Sequence, residues 1–186
     1  MVPQEYNSHE PSTNNNWISS FHYNYFNTNP YRKWFGNENG GKVEALVNSF
    51  DASFYNAGDK QALHLDLFPF TTLTDFHKIR HLAENDLFKT EWAQKFLLEL
   101  INKINPEIII VFGSANYNIF SGLFKSNLKE LTDGKFINKA ENNHTNYFIS
   151  KFNNINLVGL SINVGNPRGF SREDLLNLGK EIKSKL

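Results

Sequence analysis

The sequence predicts a layered α/β domain, and three observations support this fold class. Apolar runs that suit buried strands lie along the chain. They alternate with segments whose apolar residues recur at helical spacing, a pattern that is typical of a sheet covered by helices. The chain has 186 residues, of which 40% are hydrophobic, and this suits one domain with its own core.

The first half of the chain predicts an irregular segment, two helices and a strand. Residues 1–29 are rich in Asn and aromatic side chains and have no clear period, so we predict irregular structure there. Residues 42–50 carry apolar side chains at helical spacing and predict a helix. Residues 62–68 predict a strand that stops at a Phe-Pro-Phe corner. A second helix is predicted over residues 74–84, with Thr74 as its N-cap.

A helix, a buried strand and another helix are predicted next. Residues 90–104 carry a single apolar stripe and predict a helix that ends before Pro106. Residues 107–112 are apolar apart from the first, which predicts a strand buried on both faces. A helical pattern then extends over residues 115–131.

The last part of the chain predicts three strands and a closing helix. The strands are predicted over residues 136–137, 147–150 and 157–162. The closing helix is predicted over residues 169–186, with Ser171 as its N-cap. Two acidic residues in its first turn suit the helix dipole.

Composition excludes several classes of function. The net charge is zero, with 19 basic and 19 acidic residues, so a strongly basic nucleic-acid-binding surface is absent, while local basic patches stay compatible. The chain has no cysteine, which excludes disulfides and thiolate chemistry. It shows neither a membrane-spanning segment nor a signal peptide. We therefore expect a cytoplasmic monomer without a membrane partner.

Asp66 is the most informative candidate for a functional residue. It interrupts the apolar run of residues 62–68 close to the end of the predicted strand. Ligands of open α/β sheets bind at the carboxyl ends of the strands, so a carboxylate there is well placed to hold a ligand. The alternative is structural, because Asp66 could instead pair with a backbone N–H group or an Arg near the strand end.

Three segments together resemble the uracil-DNA glycosylase superfamily. They are HLDLFPFTT, then the helix over residues 91–104 followed by NPEIIIVFGSANYNIF, and finally GLSINVGNPRGFSREDLLNLGKEI. Their order and spacing carry the resemblance over residues 30–186. It implies a single three-layer α/β/α domain with a mostly parallel central sheet. It also implies excision of a DNA base by hydrolysis of the N-glycosidic bond, without a metal or an organic cofactor.

The resemblance also implies roles for individual residues. The base-reading Asn of the superfamily maps onto Asp66, and its late His maps near Asn163, which would support the leaving base. An ionised Asp only accepts hydrogen bonds, so it suits an exocyclic amine better than the carbonyl of uracil. We therefore expect a base other than plain uracil. The water-activating position maps onto Val2, which leaves Glu5 as the local candidate for that role.

Contacts with DNA are expected from two groups of residues. Gly113 and Ser114 follow a strand at its carboxyl end, and Arg168 lies in a loop where it either contacts phosphate or only takes part in a turn. Aromatic side chains stack on flipped bases, and the candidates for that contact are Trp17, Phe21 and Phe68. Core packing is the alternative for the aromatic residues, and it is favoured for Phe68.

Two other functions fit the same sequence. One is a non-catalytic module on this fold that binds nucleic acid or a protein partner, which Val2 and the neutral net charge favour. The other is an enzyme that acts on a small molecule such as a nucleoside. A metal site is not expected, because His77 and His81 have the spacing of two ligands but no evident third.

Overall fold

The computed structural model of the chain describes residues 41–55, 60–67, 91–163 and 167–186. Four α-helices lie within these residues, namely α1 (Lys42–Asn48), α2 (Glu91–Ile104), α3 (Ser114–Leu123) and α4 (Arg172–Lys183). The strands are β1 (Ala52–Ser53), β2 (Lys60–Gln61), β3 (Ile108–Phe112), β4 (Leu128–Ile137), β5 (His144–Phe152) and β6 (Ile155–Leu160). None of the described helices combines the length and the apolar character needed to cross a bilayer.

The main sheet is mixed, so the predicted mostly parallel sheet is wrong. Its four strands lie in the order β3-β6-β5-β4. β3 pairs with β6 in parallel, whereas β6 with β5 and β5 with β4 pair antiparallel. A separate parallel pair joins β1 to β2. The α/β fold class is confirmed.

The antiparallel part arises because the helix predicted to reach residue 131 ends at Leu123. A short 3₁₀ turn, Lys125–Asn127, leads directly into β4. The sequence Thr-Asp-Gly at residues 132–134 consists of poor helix formers, and the chain there pairs with β5 instead. The predicted strand at residues 136–137 is therefore only the end of a much longer one.

The strand predicted over residues 62–68 is wrong for the described residues 62–67, because β2 ends at Gln61. The pairing with β1 ends at Gln61, and the last ladder-like bond joins the Ala62 N–H to the Ser53 carbonyl at 2.9 Å. After β1 the chain turns away from β2, because the Phe54 N–H donates to the Glu44 carboxylate at 3.2 Å. The remaining described residues, 62–67, have no regular secondary structure.

Helices cover both faces of the main sheet. On one face α1 and α4 contribute to the first core cluster, which consists of Leu46, Phe50, Tyr147, Val158, Leu160, Phe170, Leu175, Leu178 and Ile182. On the other face α2 and α3 contribute to the second core cluster, which consists of Leu97, Ile101, Tyr117, Phe120, Phe124, Phe152 and Leu157. The described residues therefore form three layers, as expected.

Two helices match their sequence patterns closely. α2 buries Leu97 and Ile101 of its predicted stripe, although Phe96 remains 39% exposed. α4 begins as predicted at Ser171, whose hydroxyl accepts from the Asp174 N–H at 3.0 Å. The Asp174 carboxylate accepts from the Ser171 N–H at 2.7 Å, which completes a capping box.

A close contact between β6 and α3 gives the first testable prediction. A β-carbon at Gly159 would lie 2.3 Å from Cδ2 of Tyr117, whose ring stacks on Phe148 with centroids 5.1 Å apart. Because this site is buried, we expect Gly159→Ala to lower the free energy of unfolding by about 1–3 kcal/mol through overpacking. Denaturant unfolding measures the change.

Gly122 supplies the matched control for this substitution. It is exposed on α3, and nothing lies within 4 Å of a β-carbon built there. Gly122→Ala is expected to raise the free energy of unfolding by about 0.5–1 kcal/mol, because Ala favours the helix. A Gly159→Ala protein as stable as the unsubstituted one would contradict the close contact.

Candidate functional site

Several strand ends meet at one edge of the main sheet. Because β3 and β6 are parallel, Phe112 and Leu160 are partners in register and both strands end there. β5 begins at the same edge and β4 ends there, with Ile137 opposite His144. We call this the carboxyl edge. It is where an open α/β sheet offers space for a ligand.

Gly113 and Ser114 lie at the β3 end of the carboxyl edge, as predicted. Gly113 has φ of +88°, a conformation that favours glycine, and its N–H donates to the Leu160 carbonyl at 2.8 Å. Ser114 is exposed and is the first residue of α3. The N–H groups of a first helical turn have no partners within the helix, so they are available to an anion.

Asn163 lies three residues after the end of β6 and is exposed. The chain just before it is held by Ser161, whose hydroxyl accepts from the Asn146 N–H at 2.9 Å and lies 2.9 Å from the Thr145 hydroxyl. The Ser161 N–H donates to the Asn146 carbonyl at 2.9 Å. These bonds fix the direction in which the chain leaves the sheet towards Asn163.

Arg168 lies at the far end of the carboxyl edge, near β4. Its neighbour Gly169 accepts a hydrogen bond from Asn138, the residue after β4, at 2.8 Å. The Arg168 side chain is exposed. Three strand spacings separate the ends of β3 and β4, which is about 14 Å. The structure thus brings Gly113, Ser114, Asn163 and Arg168 to one edge.

Asp66 lies on a separate stretch of chain and is exposed rather than at the end of a buried strand. Lys60 at the start of this stretch pairs with Glu107, which immediately precedes β3. Leu67 near its end packs against the second core cluster, as do Ile109 and Val111 of β3. Asp66 therefore lies beyond β2, and no contact among the described residues joins it to the other predicted site residues.

His64 shares this stretch with Asp66. Burial lowers the pKa of the His64 imidazole below its ordinary value of 6.5, and the charge of Asp66 opposes this by raising it. The net effect favours the neutral ring near pH 7. The sequence pattern did not single out His64.

The remaining predicted residues lie outside the described part of the chain. These are Glu5, Trp17, Phe21 and Phe68, together with the histidine pair at 77 and 81. Within the described ranges, no group of three or more His, Asp or Glu residues is arranged to hold a metal ion.

The carboxyl edge also contains polar residues that sequence reasoning missed. Asn116 donates from its side-chain nitrogen to the Phe112 carbonyl at 2.9 Å and so stabilises the end of β3. Asn138, Asn146 and Ser161 are the others. Asn138 and Ser161 directly follow β4 and β6, whereas Asn116 lies in α3 and Asn146 within β5, so no shared position in the sequence pattern marks them.

Asp174 connects α4 to the turn between β4 and β5. Its carboxylate accepts from the Lys139 N–H at 2.8 Å, in addition to the capping-box bonds to Ser171. Burial acts to raise the pKa of Asp174, but these hydrogen bonds and the charge of Lys139 outweigh it and lower the pKa below 3.8. The carboxylate is therefore ionised at neutral pH and holds the turn against the helix.

The residues that follow β3 and β6 define what this edge can do chemically. Residues 113–116 and 161–163 offer hydroxyls, side-chain amides and backbone N–H groups, but no carboxylate. Such groups suit the edge of a base or a phosphate. In comparisons with family models, with curated proteins and with solved structures, the chain has no significant match.

Proposed function

We propose that this protein binds DNA along the carboxyl edge and excises a base other than plain uracil by hydrolysing its N-glycosidic bond. The observation that carries the proposal is the convergence of the α3 start, Asn163 and Arg168 at one sheet edge. These groups derive from two separate connections of the chain, from β3 to α3 and from β6 to α4. An enzyme that acts on a flipped base needs such a combination of base-reading and phosphate-binding groups.

Each group has a role in this proposal. A flipped base occupies the space at the ends of β3 and β6, where Asn163 supports it as a leaving group. The N–H groups at Gly113 and Ser114 bind an oxygen of the base or of a phosphate. Arg168 binds a phosphate further along the strand. For Asp66 to accept a hydrogen bond from an exocyclic amine, the base must also reach the stretch of chain beyond β2.

A fold like that of the uracil-DNA glycosylase superfamily is part of the proposal. The unit α2–β3–α3 and the connection from β6 to α4 have the expected order. The parallel pairing of β3 with β6 is consistent with it as well. The antiparallel hairpin of β4 and β5 is a departure from the expected sheet.

A second candidate is a module without catalytic activity that binds nucleic acid or a protein partner on the same edge. The observation that favours it is the lack of a carboxylate in the described residues that follow β3 and β6. Hydrolysis requires a group that activates water, and amides do not serve as general bases.

A cleavage assay on end-labelled oligonucleotides tests the proposal. Single- and double-stranded substrates carry uracil, hypoxanthine, cytosine or modified cytosines, and alkali reveals abasic sites. We expect cleavage at a base that carries an exocyclic amine, in preference to uracil. A folded protein that cleaves none of them, yet binds the oligonucleotides, would favour the binding module.

A further inference from the structure

The turn that carries Arg168 is held by hydrogen bonds and by buried residues at both of its ends. The Phe170 N–H donates to the Pro167 carbonyl at 3.3 Å, and Gly169 between them has φ of +78°. This is the signature of a type II turn, with Arg168 at its second position and Gly at its third. The Arg168 side chain therefore projects from a turn of defined geometry.

Both ends of this turn are fixed to the protein interior. Phe170 is buried in the first core cluster, and its ring lies 6.4 Å from that of Phe136 on β4. Pro167 is buried as well. The middle of the turn is held by the hydrogen bond from Asn138 Nδ2 to the Gly169 carbonyl, at 2.8 Å.

Asn138 uses its whole hydrogen-bonding capacity in this arrangement and is only 4% exposed. Its nitrogen donates to Asn142 Oδ1 at 2.7 Å as well as to Gly169. Its oxygen accepts from the N–H groups of Asn142 and Asn143, at 3.1 and 3.0 Å. We call these four residues, Asn138, Asn142, Asn143 and Gly169, the Asn138 clasp.

The residue type at position 138 follows from these partners. The side chain at this buried position faces two hydrogen-bond donors and two acceptors. Among side chains of this size, only the Asn amide can both accept and donate two hydrogen bonds. Phe170 anchors one end of this turn in the core, and the clasp attaches its middle separately. The additional bond to Gly169 specifies the orientation of the turn next to Arg168.

We propose that the Asn138 clasp is a positioning device that holds Arg168 ready to bind a DNA phosphate. This inference rests on the proposed DNA binding and adds the group that positions its phosphate-binding residue. Holding the backbone of an Arg in the bound geometry reduces the ordering that binding would otherwise require. Arg168 is the group that contacts DNA, and Asn138 acts only through it.

Asn138→Asp is the sharpest test of the clasp. It preserves the size of the side chain and the acceptor for Asn142 and Asn143, but it puts an oxygen where the nitrogen faced Gly169 and Asn142. Asn177→Asp, at an exposed position in α4, is the matched control for the added charge. Gly169→Ala is a second variant, which strains the turn without adding any charge.

Binding to a short single-stranded DNA is measured over a range of salt concentrations. Arg168→Ala is expected to reduce the slope of log K against log salt by about 0.7, the value for one phosphate contact in a single strand. Asn138→Asp and Gly169→Ala are expected to reduce it similarly, and Asn177→Asp is not. The double variant with Asn138→Asp and Arg168→Ala is expected to have the same salt slope as Arg168→Ala alone.

Amide hydrogen exchange supplies a readout without DNA. The Phe170 amide is expected to exchange faster in Asn138→Asp, whereas the Asn143 amide keeps its acceptor and is not. Faster exchange with an unchanged salt slope would overturn the positioning role while leaving DNA binding intact. Additive effects of Asn138→Asp and Arg168→Ala would overturn it too. If the unsubstituted protein does not bind the DNA at all, the proposed function and this inference both fail.

Discussion

Replacing Asp66 is expected to change both the rate and the choice of base. In the proposed function, Asp66→Ala removes the acceptor for an exocyclic amine, and such a base contact contributes about 1–3 kcal/mol. Excision of the preferred base should therefore slow by about 10–100-fold. Asp66→Asn offers a donor and an acceptor, so it should shift the preference towards uracil. Single-turnover cleavage of paired substrates measures both effects.

Asp133 supplies the control for these variants. It is another exposed Asp, and it lies within β4 rather than beyond β2. Asp133→Asn is expected to leave the choice of base unchanged. If Asp66→Asn also left the choice of base unchanged, Asp66 would be an ordinary surface residue and another group would have to read the base.

Removing the buried carboxylate of Glu44 is expected to have the largest effect on stability. Glu44 is 0% exposed and accepts from the Ser53 hydroxyl at 2.6 Å and from the Phe54 N–H at 3.2 Å. Glu44→Ala leaves both donors unsatisfied and creates a cavity, so the free energy of unfolding should fall by about 2–4 kcal/mol. Denaturant unfolding measures this, with exposed Glu99→Ala as the control.

Glu44→Gln should reveal the pH dependence of the same site. Burial raises the pKa of Glu44 above 4.5, and the hydrogen bonds from Ser53 and Phe54 lower it only in part. The folded protein therefore binds this proton more tightly than the unfolded chain does. Relative to Glu44→Gln, the unsubstituted protein should lose stability as pH rises from about 4.3 through the raised pKa. A stability difference that is independent of pH would contradict the raised pKa.

The parts of the fold that could be predicted are those in which local pattern and tertiary structure agree. The five apolar residues of β3 are flanked by a helix on each side, and Ser171 is followed by acidic residues that complete its capping box. The hairpin of β4 and β5 could not be predicted in this way. Leu128 fits a helical period with the preceding residues, but it begins β4, pairs with β5 and packs against the second core cluster.

The candidate site was predictable to a similar extent. Gly113 and Asn163 could be found because each follows an apolar run that does form a strand. Asp66 was assigned to a strand end because its neighbours are apolar, but β1 is too short to pair with them and the ladder stops. Asn138 has no signal of its own, since its partners are defined only once the turn between β4 and β5 has formed.

The central claim is that DNA binds along the carboxyl edge, and mapping the bound surface tests it most directly. Amide chemical shifts of the labelled protein would be followed during titration with a short single-stranded DNA. We expect the largest changes at Gly113, Ser114, Asn163 and Gly169, and none at Asn127 and Asn153 at the opposite end of the sheet. Changes confined to that opposite end, or none at saturating DNA, would contradict the claim.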